Sequence, residues 1–174
     1  MTRKIAFAGV VAALYAALTI SLGFISYGPI QFRIAEVLCI LPFFFPFSVW
    51  GLFVGCLIAN IASPYPLDLV VGPIATLIAA LATMRVGMLK RDGVPIKALA
   101  CLPPVVVNAV LIGALIAYYT TGAGDAEAFA LAFAVGGFQV GFGQLVVLYV
   151  IGLPLLVYLP KSQMHQKLSE LYMR

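Results

Sequence analysis

The side chains of this sequence that can do chemistry are few and gathered. Gln31, Arg33 and Glu36 lie together, and Asn60, Ser63 and Asp68 form a second group. Asn108, Tyr118, Tyr119 and Gln139 stand in otherwise apolar surroundings. A carboxylate accepts hydrogen bonds, a guanidinium donates them and an amide does both. Such a set suits holding a ligand with polar edges.

The motifs of bond-making chemistry are missing. The chain has no G-x-x-x-x-G-K-[ST] phosphate loop, no G-x-S-x-G and no H-E-x-x-H. Its one histidine, His165, sits in a polar tail with no ligand candidates beside it. Cys39, Cys56 and Cys101 lie in apolar runs without Cys-x-x-Cys spacing, which reads as buried small side chains. Coupled carriers generally place an ionisable group near the bilayer midplane; here every charge falls near the end of an apolar run. The pattern is that of a binder without an energy source, cofactor or metal of its own.

The elements that must position these residues follow from composition. Of 174 residues, 64% are hydrophobic and 9% charged, against roughly 25% charged in a soluble domain. That excludes a soluble enzyme, a disordered chain and a nucleic-acid-binding domain. No charge separates Lys4 from Arg33, Glu36 from Asp68, Asp68 from Arg85, Lys97 from Asp125, or Glu127 from Lys161. A helix needs about 20 apolar residues to cross ~30 Å of hydrocarbon. Each bare stretch holds one span, and Val37–Leu67 holds either one or two short ones.

Parity decides between them. With two, both termini share a side with all the basic residues except Arg33, which satisfies the positive-inside bias; with one, the Arg85–Lys97 cluster would face outward. The sequence therefore predicts an all-α integral membrane protein of six transmembrane helices with both termini cytoplasmic. It is one domain over 1–174, with a short tail at 161–174 whose Met164, Leu168, Leu171 and Tyr172 share a helical face. The spans are expected near Ile5–Gly23, Ile34–Phe45, Val49–Ala62, Asp68–Gly87, Ala98–Tyr119 and within Ala128–Leu159. Spans two and three are half-length and flanked by proline, which lipid-exposed backbone does not tolerate but a covered cavity does.

On this map Gln31, Arg33, Glu36, Asn60, Ser63, Asp68 and Tyr118 collect on the outer side. Asn108 and Gln139 lie roughly 16 Å into their spans at 1.5 Å per residue. Together they outline an outward pocket. Plainer roles stand beside that one: Arg33 and Glu36, at i, i+3, can pair with each other. Asp68 can be only a helix cap, and Asn60 and Asn108 can bond neighbouring helices. Gln139 sits among glycines where close packing is expected, and Tyr118 can be an interfacial anchor. On span one, Ala8, Ala12 and Ala16 recur every four residues, with Ala13 and Ala17 parallel to them. Such a row suits either a docking face for another protein or internal packing.

Two stretches, Gln31-Phe-Arg-Ile-Ala-Glu-Val-Leu-Cys-Ile-Leu-Pro42 and Gly51 through Thr83 (GLFVGCLIANIASPYPLDLVVGPIATLIAALAT), resemble the queuosine-precursor, QueT-type branch of the substrate-binding (S) components of energy-coupling factor (ECF) transporters. The length and six-span layout are similar throughout. The specific motif covers mainly residues 31–83, so Asn108 and Gln139 rest on depth and chemistry alone.

The resemblance implies a multi-pass protein of a prokaryotic plasma membrane, an ECF S-component-like bundle. Its partners would be a coupling transmembrane subunit, met through the Ala8, Ala12, Ala16 row, and two cytoplasmic ATPases that use the ATP and magnesium. It implies capture of queuine or a related deazaguanine outside, followed by toppling to release it inside. For that ligand the expected roles are Glu36 on the base edge, oriented by Arg33, and Asn60, Asn108 or Gln139 on the carbonyl. Asp68 would pair with the side-chain amine and Phe32 or Tyr118 stack on the ring, with Gln31 beside them. Glu36→Gln is then expected to cost at least about tenfold in affinity.

Other classes remain open from sequence. A lipid-head-group enzyme would need acidic or histidine residues converging on the cytoplasmic side, where only Asp92 and Glu170 are available. A scaffold would bind no small molecule, and a stand-alone carrier would transport without partners. An S component for another vitamin-like heterocycle would share this layout.

Overall fold

The structure, a computed structural model, describes residues 1–28, 30–89, 91–122 and 124–162. The tail reading (His165 and the face Met164, Leu168, Leu171, Tyr172) lies outside them. Among the described residues the chain is helical and carries no strand. Four segments are long and apolar enough to cross a membrane: Thr2–Ser21, Asp68–Met88, Val94–Thr121 and Ala126–Lys161. Ile34–Phe43 and Ser48–Ala62 are the shorter apolar helices, so the Val37–Leu67 stretch does divide in two.

Helix α1 (Thr2–Ser21) is followed by the one-turn α2 (Gly23–Ser26) and then by a 3₁₀ helix over Ile34–Phe43. At about 2.0 Å per residue this 3₁₀ helix reaches roughly 20 Å. In 3₁₀ winding, residues three apart eclipse, so Glu36, Cys39 and Pro42 form one line, and all three are buried. Phe44–Phe47 breaks the chain before α3 (Ser48–Ala59), whose end tightens over Asn60–Ala62.

Helix α4 (Asp68–Met88) takes Leu67, not Asp68, as its cap. Asp68 N–H donates to Tyr65 O at 2.9 Å and Val71 N–H to Leu67 O at 2.9 Å, so a turn over Tyr65–Leu67 leads directly into the helix. Asp68 thus lies inside the first turn, where a carboxylate is favoured by the helix dipole, and makes no cap hydrogen bond.

Helices α5 (Val94–Thr121) and α6 (Ala126–Val146) cross through glycine: a Cβ on Gly113 would meet Gly137 Cα at 2.6 Å. Asp125 caps α6, accepting from Glu127 N–H at 3.0 Å and Ala128 N–H at 3.1 Å. Beyond α6 a π-helical stretch, Val147–Gly152, leads into α7 (Leu153–Tyr158). Pro154 supplies no N–H to the preceding turn, and a local change of winding is how helices absorb this.

The alanine row on α1 is not a free face. Ala8, Ala12 and Ala16 are buried, and α3 packs on the first two. A Cβ on Gly51 would collide with Ala8 O, and one on Gly55 would stand 2.7 Å from Ala12 O. Small residues on both helices let the backbones touch, so the row is consumed within the chain. The parallel row, Gly9, Ala13 and Ala17, is the exposed one.

Candidate ligand site

The loops gather the polar groups at one end of the bundle. The turn after α2 carries Tyr27 and Gln31, and the 3₁₀ helix starts behind Arg33. Helix α3 ends at Asn60, α4 begins at Asp68, and α5 ends beside Tyr118 and Tyr119. Cross-links tie them: Tyr27 O–H donates to Ala59 O at 2.6 Å, and Leu67 N–H donates to Tyr119 Oη at 3.0 Å.

Arg33 pairs with Asp68, Nη2 to Oδ2 at 3.7 Å, with both side chains sealed from solvent. The plainer alternative, an Arg33–Glu36 ion pair, is not formed. Arg33 is the residue before the 3₁₀ helix, with ψ 89°, and its side chain is directed to α4 instead. At 3.7 Å the contact is a coulombic one, longer than a hydrogen bond. The guanidinium also lies over the Tyr27 ring, 5.7 Å from its centroid, within cation–π range.

Glu36 is fully buried, and both of its oxygens have partners. Tyr15 O–H donates to Oε1 at 2.5 Å and Cys39 S–H to Oε2 at 3.1 Å. The 3₁₀ register explains the second bond, since Cys39 eclipses Glu36. In this structure α1 and the 3₁₀ helix enclose Glu36, whose oxygens meet Tyr15 and Cys39. Cys39, expected only to fill space, acts as a donor.

Asn60, also buried, donates through Nδ2 to Asp68 O at 2.8 Å and to Cys56 Sγ at 3.6 Å. Ser63 O–H donates to Asp68 Oδ2 at 2.9 Å. Gly72 makes room for this arrangement: a Cβ there would overlap Asn60 Nδ2 and stand 2.7 Å from Asp68 Oδ1.

Several buried polar atoms have no hydrogen-bond partner among the described residues. They are Arg33 Nε and Nη2, Asn60 Oδ1, Asp68 Oδ1, Thr76 Oγ1, Asn108 Nδ2, Gln144 Oε1 and Ser26 Oγ. Buried polar groups are nearly always satisfied. Of these residues, Arg33, Asn60 and Asp68 lie together at this end of the bundle.

On the other side of Tyr27 from Arg33, a cavity of about 220 Å³ is lined by Tyr27, Gly28, Gln31, Tyr65, Ile116 and Gln139. It brings together two amides and two aromatic rings. Ile116 and Gln139 also line a larger apolar space of about 420 Å³ between α5 and α6. Gln31 holds a left-handed backbone, φ 51°, uncommon for a residue with a side chain and typical of strain at working sites.

The remaining expected residues fall outside that lining. Phe32 lines a neighbouring space of about 250 Å³ with Phe24, Ile25 and Ile30. Tyr118 is 47% exposed and rests edge-on against Tyr119, ring centroids 5.6 Å apart. Asn108 is buried on the same α5 face as Ile112 and Ile116, so it lies about 12 Å deeper than Ile116. Sequence reasoning missed Tyr27, Tyr65 and Gly72. The available signals were a tyrosine in a Ser-Tyr-Gly-Pro turn, another between two prolines, and a glycine one helical turn after an acid. Among the described residues no three His, Cys, Asp or Glu side chains converge to hold a metal.

The fold is that of a helical membrane protein with a small cavity of two amides and two aromatic rings at one end. The QueT transporter family model matches residues 5–161, so the chain belongs to the QueT transporter family. Over 79 residues it is 42% identical to a protein described as "Queuosine precursor transporter QueT" from Lactococcus lactis subsp. cremoris (strain MG1363). That stretch covers 44% of this chain and 47% of the relative, so the match spans about half of the curated protein's length. No solved structure matches the chain.

Proposed function

We propose that the chain is the substrate-binding S component of an ECF-type importer for a queuosine precursor, queuine or a related deazaguanine. The observation that carries this reading is membership of the QueT transporter family across residues 5–161. The cavity chemistry supports it: Tyr27 and Tyr65 offer faces for a flat ring, and Gln31 and Gln139 offer both donors and acceptors.

The working topology is six crossings of a prokaryotic plasma membrane with both termini cytoplasmic and the Arg33–Asp68 end outside. Power comes from a coupling transmembrane subunit and two ATPases, which hold the ATP and magnesium. The docking row is the exposed Gly9, Ala13 and Ala17 rather than the buried one, since nothing lies within 4 Å of a Cβ built on Gly9. Small residues at i, i+4 admit a second helix closely.

The test is a binding isotherm of the purified chain with queuine, its aminomethyl precursor and guanine, together with co-purification from cells. Deazaguanine binding with recovery of ATPase subunits is expected. Failure to bind any deazaguanine, or accumulation by the chain alone in ATP-free vesicles, overturns the reading.

A further inference from the structure

Resting on that reading of the ligand, we propose that Arg33, Asp68 and Asn60, not Glu36, read the lactam–amine edge of a guanine-type ring. Asp68 Oδ1 and Asn60 Oδ1 accept its two N–H donors, and Arg33 donates to its carbonyl.

Glu36 has both oxygens engaged by Tyr15 and Cys39. Asp68 has one oxygen held by Ser63 and the other, Oδ1, without a partner among the described residues. Asn60 is fixed in sense. Its neighbour Asp68 O can only accept, so the nitrogen must face it and Oδ1 is the atom left over. Arg33 Nε and Nη2 are likewise left over, because the ion pair at 3.7 Å is too long for a hydrogen bond.

The unused atoms are therefore two acceptors and a two-donor fork, each on a buried side chain. A guanine-type edge offers the complement: an exocyclic amine, a ring N–H and a carbonyl. An adenine-type edge offers an amine beside a ring acceptor, which would leave one carbonyl-type oxygen facing a lone pair. Leaving buried groups unpaired is what makes such a site selective. Tyr27 links the cluster to the cavity, because its ring lines the cavity and also lies under Arg33. Gly72 keeps the Asn60–Asp68 pair intact by presenting no side chain.

The test titrates the purified full chain with 7-deazaguanine, 7-deazahypoxanthine (which lacks the exocyclic amine) and 7-deazaadenine. Wild type is expected to bind the second at least about tenfold more weakly than the first, and the third at least about a hundredfold more weakly. In Asn60→Ala or Asp68→Asn the gap between the first two ligands should shrink below about threefold. Similar affinities for all three ligands in wild type overturn the assignment without needing any variant to fold. A gap that persists in both folded variants, or closes instead in Glu36→Gln, also overturns it. Wild type binding no deazaguanine sinks the substrate reading and this one together; a flat ligand series sinks this one alone.

Discussion

Asn60 occupies the space that any side chain on Gly72 would need. The Asn60 amide bonds the Asp68 carbonyl at 2.8 Å, and a Cβ on Gly72 would overlap its nitrogen. The end of α3 and the first turn of α4 are thus locked together by one amide and one missing methyl group.

Gly72→Ala should expel Asn60 from that position. Overpacking of this kind costs about 1–3 kcal/mol, read as a lower unfolding midpoint in detergent. Deazaguanine affinity should fall with it, because Asp68 Oδ1 would be displaced as well. Unchanged stability and affinity would show that the Asn60–Asp68 link is dispensable.

Glu36→Gln tests whether that residue is structural. The substitution turns one acceptor into a donor facing Tyr15 or Cys39, and an unsatisfied buried group costs about 1–3 kcal/mol. The unfolding midpoint should drop while ligand affinity stays within about threefold, or ~0.6 kcal/mol. Tyr15→Phe should show the same pattern more mildly. A pure affinity loss at unchanged midpoint would return Glu36 to the ligand.

The two rows on α1 make opposite predictions. Ala12→Leu drives a side chain into the α3 backbone at Gly55 and should destabilise by about 1–3 kcal/mol. Ala13→Leu points outward and should stay within about 0.5 kcal/mol, while reducing co-purification with the coupling subunit. Equal recovery of the complex with both variants would remove α1 from the docking surface.

Asp92, in the loop between α4 and α5, gives a pH signature. The hydrogen bond from Lys97 Nζ at 2.7 Å, then that from Gly93 N–H at 2.8 Å, hold its carboxyl below the usual carboxylate range. A carboxyl whose folded pKa is depressed stabilises the fold above its unfolded value, about 3.9. That contribution is lost as pH falls through the folded value. Wild type should therefore lose its stability advantage over Asp92→Asn on acidification below about pH 4, measured as converging unfolding midpoints. A difference between the two that does not change with pH would rule out this pairing as the cause.

Sequence alone determined the helical membrane character, the division of Val37–Leu67 into two short helices, and the polar group around Arg33 and Asp68. These follow from local properties: charge-free length, proline position and residue type. Motif similarity over residues 31–83 also pointed to the family. Tertiary structure alone decided who meets whom. Arg33 and Glu36 are neighbours in the chain, yet one extended ψ sends Arg33 to α4 while Glu36 turns to Tyr15 on α1. The two small-residue rows of α1 look alike in a helix apolar all round, because no polar face marks which side is buried. Only the glycines of α3, some forty residues away, choose between them. Partners far apart in sequence are selected by how helices rotate and pack, and composition carries no record of that rotation.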